Sequence, residues 1–346
     1  MPDARDRTTV TRGLFVVWGP PLKGRRSVVL GTALGVEEVA YLADDWTAGL
    51  LSDPMKYPRL ALRTIRLLMK RRPRVVFVQT PPTLAVWLVA AYARAAGAAF
   101  IVDAHSDAFQ RSRWTRPRWL NRLVARRALA TLVTDPYWAA RLESDGATAM
   151  VVPDVPRVPD AAMDREPLGP GFHVLVVNTW GSDEPLAEVL AAAAQLPDVT
   201  FHVTGRRDAR FDALGSIASN VRFTDFLSDN AYQRLMRSVH AVACLTTRDH
   251  TMQRGACESL SSARPIVTSD WGLLRSYFSR GTVFVDNSPE GIRDGIGQLM
   301  AHYDEYAHAI ETLRTQRLAE WATRRTAIIE LITASDPRGG STSPGR

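Results

Sequence analysis

The chain has 346 residues, 46% of them hydrophobic and 23% charged, a balance that excludes a disordered polymer and leaves room for two domains, each with its own core. Its two cysteines, Cys244 and Cys257, fall in apolar or helical segments and exclude a disulfide scaffold; with no zinc-ligand spacing, neither a metal nor a cofactor is expected, and the cytoplasm is the default compartment. The net charge of +7 is concentrated in the first half, where no acidic residue lies between Asp53 and Asp103 or between Asp107 and Asp135. That asymmetry suggests an anionic partner for this half, such as membrane phospholipid or a lipid diphosphate.

After a charged start, residues 14–18 (LFVVW) read as a buried strand, too short for a signal peptide. A turn from Gly19 to Ser27 leads into a helix over 28–34. This glycine-bearing loop lets a ligand approach the backbone, which makes Gly24, Arg25 and Arg26 candidate cleft residues; an ordinary solvated turn is the alternative. Residues 57–72 form a helix stopped by Pro73, with Arg59, Arg63, Arg66, Lys70, Arg71 and Arg72 on its polar side. Such a face suits a bilayer surface, or equally the solvent side of a helix on a sheet. A strand at 75–79 and an apolar helix at 83–96 follow. Arg94 and the turn at 95–99 break the run from 84 to 102, so it is not read as a membrane span.

The strand over 98–102 delivers Asp103, His105 and Asp107 at its carboxyl end, where a doubly wound sheet places its chemistry. A histidine there can bond a sugar hydroxyl or polarise a leaving phosphate. Asp103 and Asp107 are the nearby carboxylates able to serve as a base if a reaction inverts stereochemistry. Residues 110–128 are rich in arginine and tryptophan, including Arg113, Trp114, Arg118 and Trp119. This composition fits a membrane interface; it also fits base stacking, but no RNA- or DNA-binding motif accompanies it. A strand at 131–134, a helix at 137–145 and residues 151–154 complete a basic first domain, 1–153.

Residues 154–170, rich in proline, read as a linker. The second domain, 171–312, opens with a strand ending at Asn178 and continues with a strand at 200–204 followed by Gly205-Arg206-Arg207, and short strands near 221–227. The central stretch, 242–270 (VACLTTRDHTMQRGACESLSSARPIVTSD), reads as strand, polar loop, helix near 252–262, and strand. Its loop and helix start lie outside the carboxyl end of the first strand, and Asp249, His250, Gln253, Arg254 and Glu258 are too polar for a buried crossover. This is the candidate nucleotide site. A strand at 282–285, helices at 273–278, 289–302 and 313–333, and a Ser/Gly/Pro-rich tail at 334–346, expected to be disordered, close the chain. The fold class expected is α/β, with two doubly wound Rossmann-like domains.

The central stretch resembles the donor-binding segment of family 4 glycosyltransferases, enzymes of the GT-B fold, whose pattern is Glu, seven residues, Glu, an Ala/Gly-rich helix end and Pro-Val. Glu258 stands at the second Glu, followed by SLSSARPIVTSD; His250 holds the first position, a departure from the pattern. The resemblance implies two domains facing a cleft, a last helix over 313–333 crossing back to the first domain, and a ribose-binding role for Glu258. His105 looks like the histidine that in the family contacts the transferred sugar, with Asp103 beside it. His250, Gln253, Arg254, Arg206 and Asn178 complete the donor-side candidates. The family's Arg and Lys after the strand at 172–178 are absent, and Arg206, Arg207 or Arg254 are the candidates to replace their charge on a diphosphate. The activity implied is metal-independent, retaining transfer from a nucleotide-sugar donor to a glycan or lipid-linked acceptor at the cytoplasmic membrane face. A GT-B sugar-nucleotide epimerase and a non-catalytic GT-B protein binding glycan or membrane are the alternatives.

Overall fold

Apolar strand segments alternate with helices along the whole chain, and in the computed structural model they assemble into two parallel sheets. The structure describes residues 10, 12–20, 26–43, 55–158, 164–207, 211 and 215–335. Gly24, Arg25 and the tail beyond 335 lie outside the described residues. Two units separate, one holding residues up to Val155 together with those from Trp321 on, the other Pro156–Glu320.

In the first unit the order is β1 (Gly13–Val17), α1 (Arg26–Ala33), β2 (Glu38–Tyr41), α2 (Lys56–Arg71), β3 (Val75–Thr80), α3 (Thr83–Ala96), β4 (Ala99–Ala104), the short helices α4 (Asp107–Gln110), α5 (Ser112–Thr115) and α6 (Arg118–Ala125), then β5 (Ala130–Val133), α7 (Pro136–Ser144) and β6 (Ala149–Val151). Among the described residues the sheet runs β2-β1-β3-β4-β5-β6, all parallel. Strand residues alternate between two cores: Val16, Val76, Val78, Val102 and Val133 face one side, and Phe15, Val17, Phe77, Ile101 and Leu132 the other. Burial on both faces explains why these strands read as continuous apolar runs.

The second unit contains β7 (Phe172–Val176), α8 (Leu186–Ala194), β8 (Val199–Thr204), β9 (Val221–Asp225), α9 (Asp229–Ser238), β10 (Ala241–Cys244), α10 (Arg254–Ser261), β11 (Ile266–Ser269), α11 (Gly272–Tyr277), β12 (Thr282–Val285), α12 (Pro289–Ala301) and the start of α13 (Tyr303–Ala334). Its sheet order is β12-β11-β10-β7-β8-β9. The strand order reverses between β1 and β3 in the first sheet and between β7 and β10 in the second. Those reversals open crevices at the carboxyl ends of the strands, the usual ligand sites of such sheets.

Three differences from the sequence reading have physical causes. The edge strand β2 was not anticipated: its four residues carry Glu38 and Tyr41 and gain their conformation from pairing with β1 alone. The segment 110–128, to which the sequence reading gave a composition but no secondary structure, carries short helices divided by Pro117 and the extended residues Arg111 and Arg116. The last helix begins at Tyr303 rather than 313. Its Ile310 and Leu313 are buried in the second unit, while Trp321, Ile328 and Ile332 are buried in the first, so the helix pattern is spread over two cores and its early turns were not visible as one apolar stripe.

A cluster of histidines sits at the amino end of the second sheet. His173 Nδ1 and His202 Nε2 are 3.1 Å apart, His173 Nε2 lies 2.8 Å from the Gly169 carbonyl, and the His173 N–H donates to His240 Nδ1 at 3.0 Å. With His173 Nε2 donating to a carbonyl, its Nδ1 accepts, and His202 supplies the proton between the two rings. Burial, with His173 and Arg222 adding to it, pushes His202 down to about 4. A histidine held neutral in the fold but free to protonate near 6.5 in the unfolded chain contributes stability that is full above pH 6.5 and is lost as pH falls toward 4. Urea midpoints are therefore expected to fall between pH 7 and pH 5. The fall should be smaller in His202→Gln, and a wild-type midpoint unchanged over that range would remove the effect assigned to His202.

Candidate functional site

Two polar clusters occupy the carboxyl ends of the two sheets. In the first unit β4 runs two residues further than its apolar pattern, so that Asp103 lies within the strand with no exposure. Its Oδ1 accepts from Arg26 Nε at 2.9 Å, and the same guanidinium donates from Nη1 to Asp154 Oδ1 at 2.9 Å and from Nη2 to the Val152 carbonyl at 2.8 Å. Arg26 is thus a buried residue of the first turn of α1, not part of a solvated ligand-facing turn as its sequence position suggests. Burial opposes ionisation of Asp103, but the Arg26 charge overrides it, with His105 assisting, and holds the carboxyl down to about 2. Burial also opposes the charge on Arg26, and Asp103 and Asp154 more than offset it.

His105 follows β4, its backbone N–H donating to the Thr80 carbonyl at 3.0 Å. Its Nε2 faces Asp103 Oδ2 at 3.5 Å. Neither atom has a closer polar partner, so the contact is a charge-orienting one longer than a good hydrogen bond. It directs Nε2 inward, and the ring is otherwise about one third exposed. Asp103, buried and committed to Arg26, positions this imidazole and does not face solvent. Asp107 is paired with Arg111 at 2.8 Å on the surface.

In the second unit Glu258 projects from the second turn of α10, its side chain 11% exposed. Oε2 accepts from the Tyr232 hydroxyl at 2.8 Å and Oε1 from Arg254 Nε at 2.9 Å. A carboxylate offers about four lone-pair directions, so acceptor capacity remains on both oxygens. Burial and the adjacent Glu258 push the Tyr232 phenol well above its ordinary range, keeping it a donor. Gln253 is the N-cap of α10, and its Oε1 is 3.4 Å from Cys244 Sγ. Burial pushes the Cys244 thiol up to about 12. His250 lies before the helix in a left-handed conformation, φ 54°, with its N–H donating to its neighbour Asp249 at 2.6 Å.

The loop carrying these residues is fastened on both sides. Thr246 Oγ1 donates to Asp183 Oδ2 at 2.9 Å, and the Thr247 N–H to the Asp183 carbonyl at 2.7 Å. Ser269 Oγ accepts from the Thr246 N–H, while Trp271 Nε1 and Asn287 Nδ2 donate to the Thr246 carbonyl. Loops after β7, β10, β11 and β12 are thereby joined around one threonine. Arg248 Nη1 stands 3.7 Å from Asp183 and brings a cation to the crevice.

Asn178 is 4% exposed, and its Oδ1 accepts from the Trp180 N–H at 2.8 Å. Gly205 presses on the same turn: at φ 102°, a Cβ there would lie 2.5 Å from the Asn178 carbonyl oxygen. Asn178 therefore shapes the turn and does not present its amide oxygen outward. Arg206 is exposed, 6.0 Å above the Phe226 ring, and Arg207 is bidentate on Asp225. In the loop after β7, Glu184 accepts from the Thr179 N–H, the Thr179 hydroxyl and the Gly181 N–H at 2.7–2.9 Å.

Sequence reasoning missed Tyr232, Asp183, Thr246, Ser269 and Asn287. Tyr232 is one turn from the serine N-cap of α9 and carries no motif. Asp183 and Thr246 had one signal, their positions beyond β7 and β10, the strands that flank the reversal in strand order, whereas Ser269 ends β11 and Asn287 follows β12. Among the described residues no group of three His, Cys, Asp or Glu side chains converges as a metal site.

The Glycosyl transferase 4-like domain model matches residues 15–156, and the Glycosyl transferases group 1 model matches residues 177–302. No curated protein matches the chain. HepE from Anabaena, solved with UDP and glucose, superposes with a TM-score of 0.69 at 14% identity, over 93% of this chain and 99% of that one. Sucrose-phosphate synthase from Thermosynechococcus elongatus gives 0.65 at 13% identity, over 92% and 97%. A putative UDP-N-acetylglucosamine 2-epimerase from Listeria monocytogenes gives 0.62 at 10%, over 96% and 99%. At these identities the likeness is one of fold.

Removing one partner of a buried ion pair leaves the other uncompensated. Asp103→Ala is expected to cost about 3 kcal/mol, with Asp154 retaining part of the pairing. Because the Asp103 carboxyl is depressed in the fold, its contribution is present above about pH 4 and is lost as pH falls toward 2. Chemical unfolding from pH 5 to pH 2 should show this slope in wild type and a shallower one in Asp103→Asn. Equal slopes would mean that the Arg26 pairing contributes no stability.

Proposed function

The chain belongs to the family 4-like glycosyltransferases of the GT-B fold, and from that premise we propose that it transfers a sugar from a nucleotide-sugar donor to a lipid-linked or glycan acceptor. Glu258 carries the reading. It is a largely buried carboxylate on the helix that follows the reversal in the second sheet, held rigidly by Tyr232 and with acceptor capacity to spare. Such a group suits two adjacent ribose hydroxyls, which donate to it in a charge-assisted pair.

HepE from Anabaena was solved with UDP and with UDP-glucose, which makes UDP the first nucleotide to test. Arg248 and Arg254 are the cations nearest the α10 start for a diphosphate, and electrostatic stabilisation of the departing diphosphate supplies most of the catalysis, without a metal and with retention. His105, oriented by Asp103, is the group for a hydroxyl of the transferred sugar. Fold alone does not separate transfer from epimerisation, since the putative epimerase shares it; both family models favour transfer.

A membrane surface is the proposed place of action. No helix among the described residues is long and apolar enough to cross a membrane. Helices α2, α3 and α6 pack side by side in one layer. Outward from α2 stand Met55, Leu62, Ile65 and Met69, at spacings of seven, three and four residues, 45–61% exposed. Arg59, Arg63, Arg66 and Lys70 flank them, and α6 exposes Trp119 and Leu123 between Arg118, Arg122 and Arg126. Apolar ridges bordered by cations fit the headgroup region of an anionic bilayer.

Two outcomes are expected. Glu258→Ala removes a contact of about 1.5–3 kcal/mol, so calorimetric titration with UDP should show affinity lower by roughly one to two orders of magnitude; unchanged affinity would remove Glu258 from the nucleotide site. In vesicle sedimentation, the protein should pellet with anionic lipid at low salt and be released at high salt. Equal recovery in the supernatant with and without anionic lipid, at both salt concentrations, would exclude the membrane role.

A further inference from the structure

The first unit holds a cavity of about 410 Å³ that neither polar cluster uses, within the size range of small-molecule sites. Its floor is the sheet face toward α3, α6 and α7. Thr80 pairs in register with Ala104, and Val102 with Thr131, so these four side chains share that face and all line the cavity. Val86, Trp87, Phe109, Val124 and Leu142 form walls. Arg118, Arg122 and Arg141 line it as exposed residues and mark its rim. Arg122 is neutralised by Asp145 at 3.0 Å, which leaves Arg118 and Arg141 to set the charge there.

Two observations separate this space from a packing gap. After β4 a single long helix would lay a continuous apolar stripe on the sheet, yet the chain spans this face with helices of four, four and eight residues, tied by Trp87 Nε1 donating to Asn121 Oδ1 and Asn121 Nδ2 donating to the Trp114 carbonyl. The roof is therefore built and braced away from the floor. The floor itself carries two buried hydroxyls, on Thr80 (5% exposed) and Thr131 (3%), that have no hydrogen-bond partner. Unpaired buried hydroxyls are costly, and valine would fill either strand position without that cost. The strand between them and their two-residue offset put their Cα atoms about 12 Å apart. Neither can satisfy the other, and no single ligand atom meets both.

We infer that this cavity is a binding site for an amphiphile with an apolar body, a hydroxyl toward Thr131 on the floor and an anionic group at the arginine rim. An aliphatic hydroxy acid and a hydroxylated aryl acid share that chemistry. Its role as the place of the acceptor's apolar part rests on the glycosyl-transfer reading; the binding itself rests on the cavity.

The test is calorimetric titration of the full chain, without any nucleotide, using ω-hydroxydodecanoate and hydroxybiphenyl carboxylate as the aliphatic and aryl probes, with acetate as the control for charge alone. At least one probe should bind one-to-one while acetate does not. Ala125→Phe, which fills the cavity from α6, should abolish binding. Thr131→Val should weaken it roughly tenfold, the loss of one hydrogen bond, while raising the thermal midpoint of the ligand-free protein by about 2–4 °C as the unpaired hydroxyl disappears. The inference is overturned if neither probe binds, if binding survives Ala125→Phe unchanged, or if Thr131→Val lowers the midpoint, since the hydroxyl would then be satisfied by water. Should Ala125→Phe not fold, the opposite signs expected for Thr131→Val still decide. Amphiphile binding in a protein that fails to bind UDP would retain the site and remove the transfer reading.

Discussion

The guanidinium of Arg26 is the interaction on which the first unit's polar end depends. It draws together the start of α1, the end of β4 and the chain leaving β6, by way of Asp103, Asp154 and the Val152 carbonyl. A cation this deeply buried is stable only while fully paired, and the pairing leaves one carboxylate charge in excess. His105 is the group that faces this excess, through Asp103 Oδ2. The imidazole is thus oriented from inside by a charge arrangement that also holds the carboxyl end of the sheet together, so the orientation of His105 and local stability depend on the same contacts.

The second unit solves the equivalent problem without a buried ion pair. Its loops are joined around Thr246 by neutral donors and acceptors together with the Asp183 carboxylate. Hydrogen bonds of this kind are individually modest but costly to break when buried. The result is a crevice whose backbone is fixed while its charged side chains, Arg248 and Arg254, remain partly exposed.

Much of this was legible in the sequence, and the boundary is informative. Strands buried on both faces announce themselves as apolar runs, so most of the described strands coincide with a predicted strand; the edge strand β2, held by one neighbour, does not. Glu258 was readable because a motif fixes its place on a helix. Arg26 was misread because a basic residue in a Gly-Pro turn looks solvated, and only the distant Asp103 and Asp154 make it a core residue. Tyr232, Asp183 and Asn287 were missed for a related reason: each acts through a partner 26, 63 or 41 residues away, a separation that no local pattern encodes. The cavity beneath α4–α6 was likewise hidden, since the prolines and arginines of that segment describe its outer surface and not the two threonines beneath it.

The Glu184 carboxylate adds a consequence of its own. It occupies two backbone N–H groups and a hydroxyl in the loop after β7, a concave set of donors of the kind that holds phosphate. Any anion approaching those donors competes with a ligand the protein carries on its own chain, tethered three to five residues away and present at millimolar or higher effective concentration. The loop is therefore closed on a carboxylate of its own chain. With these donors satisfied by the chain itself, the turn after β7 needs no outside anion to hold it, and neutralising Glu184 would leave two backbone N–H groups without their acceptor.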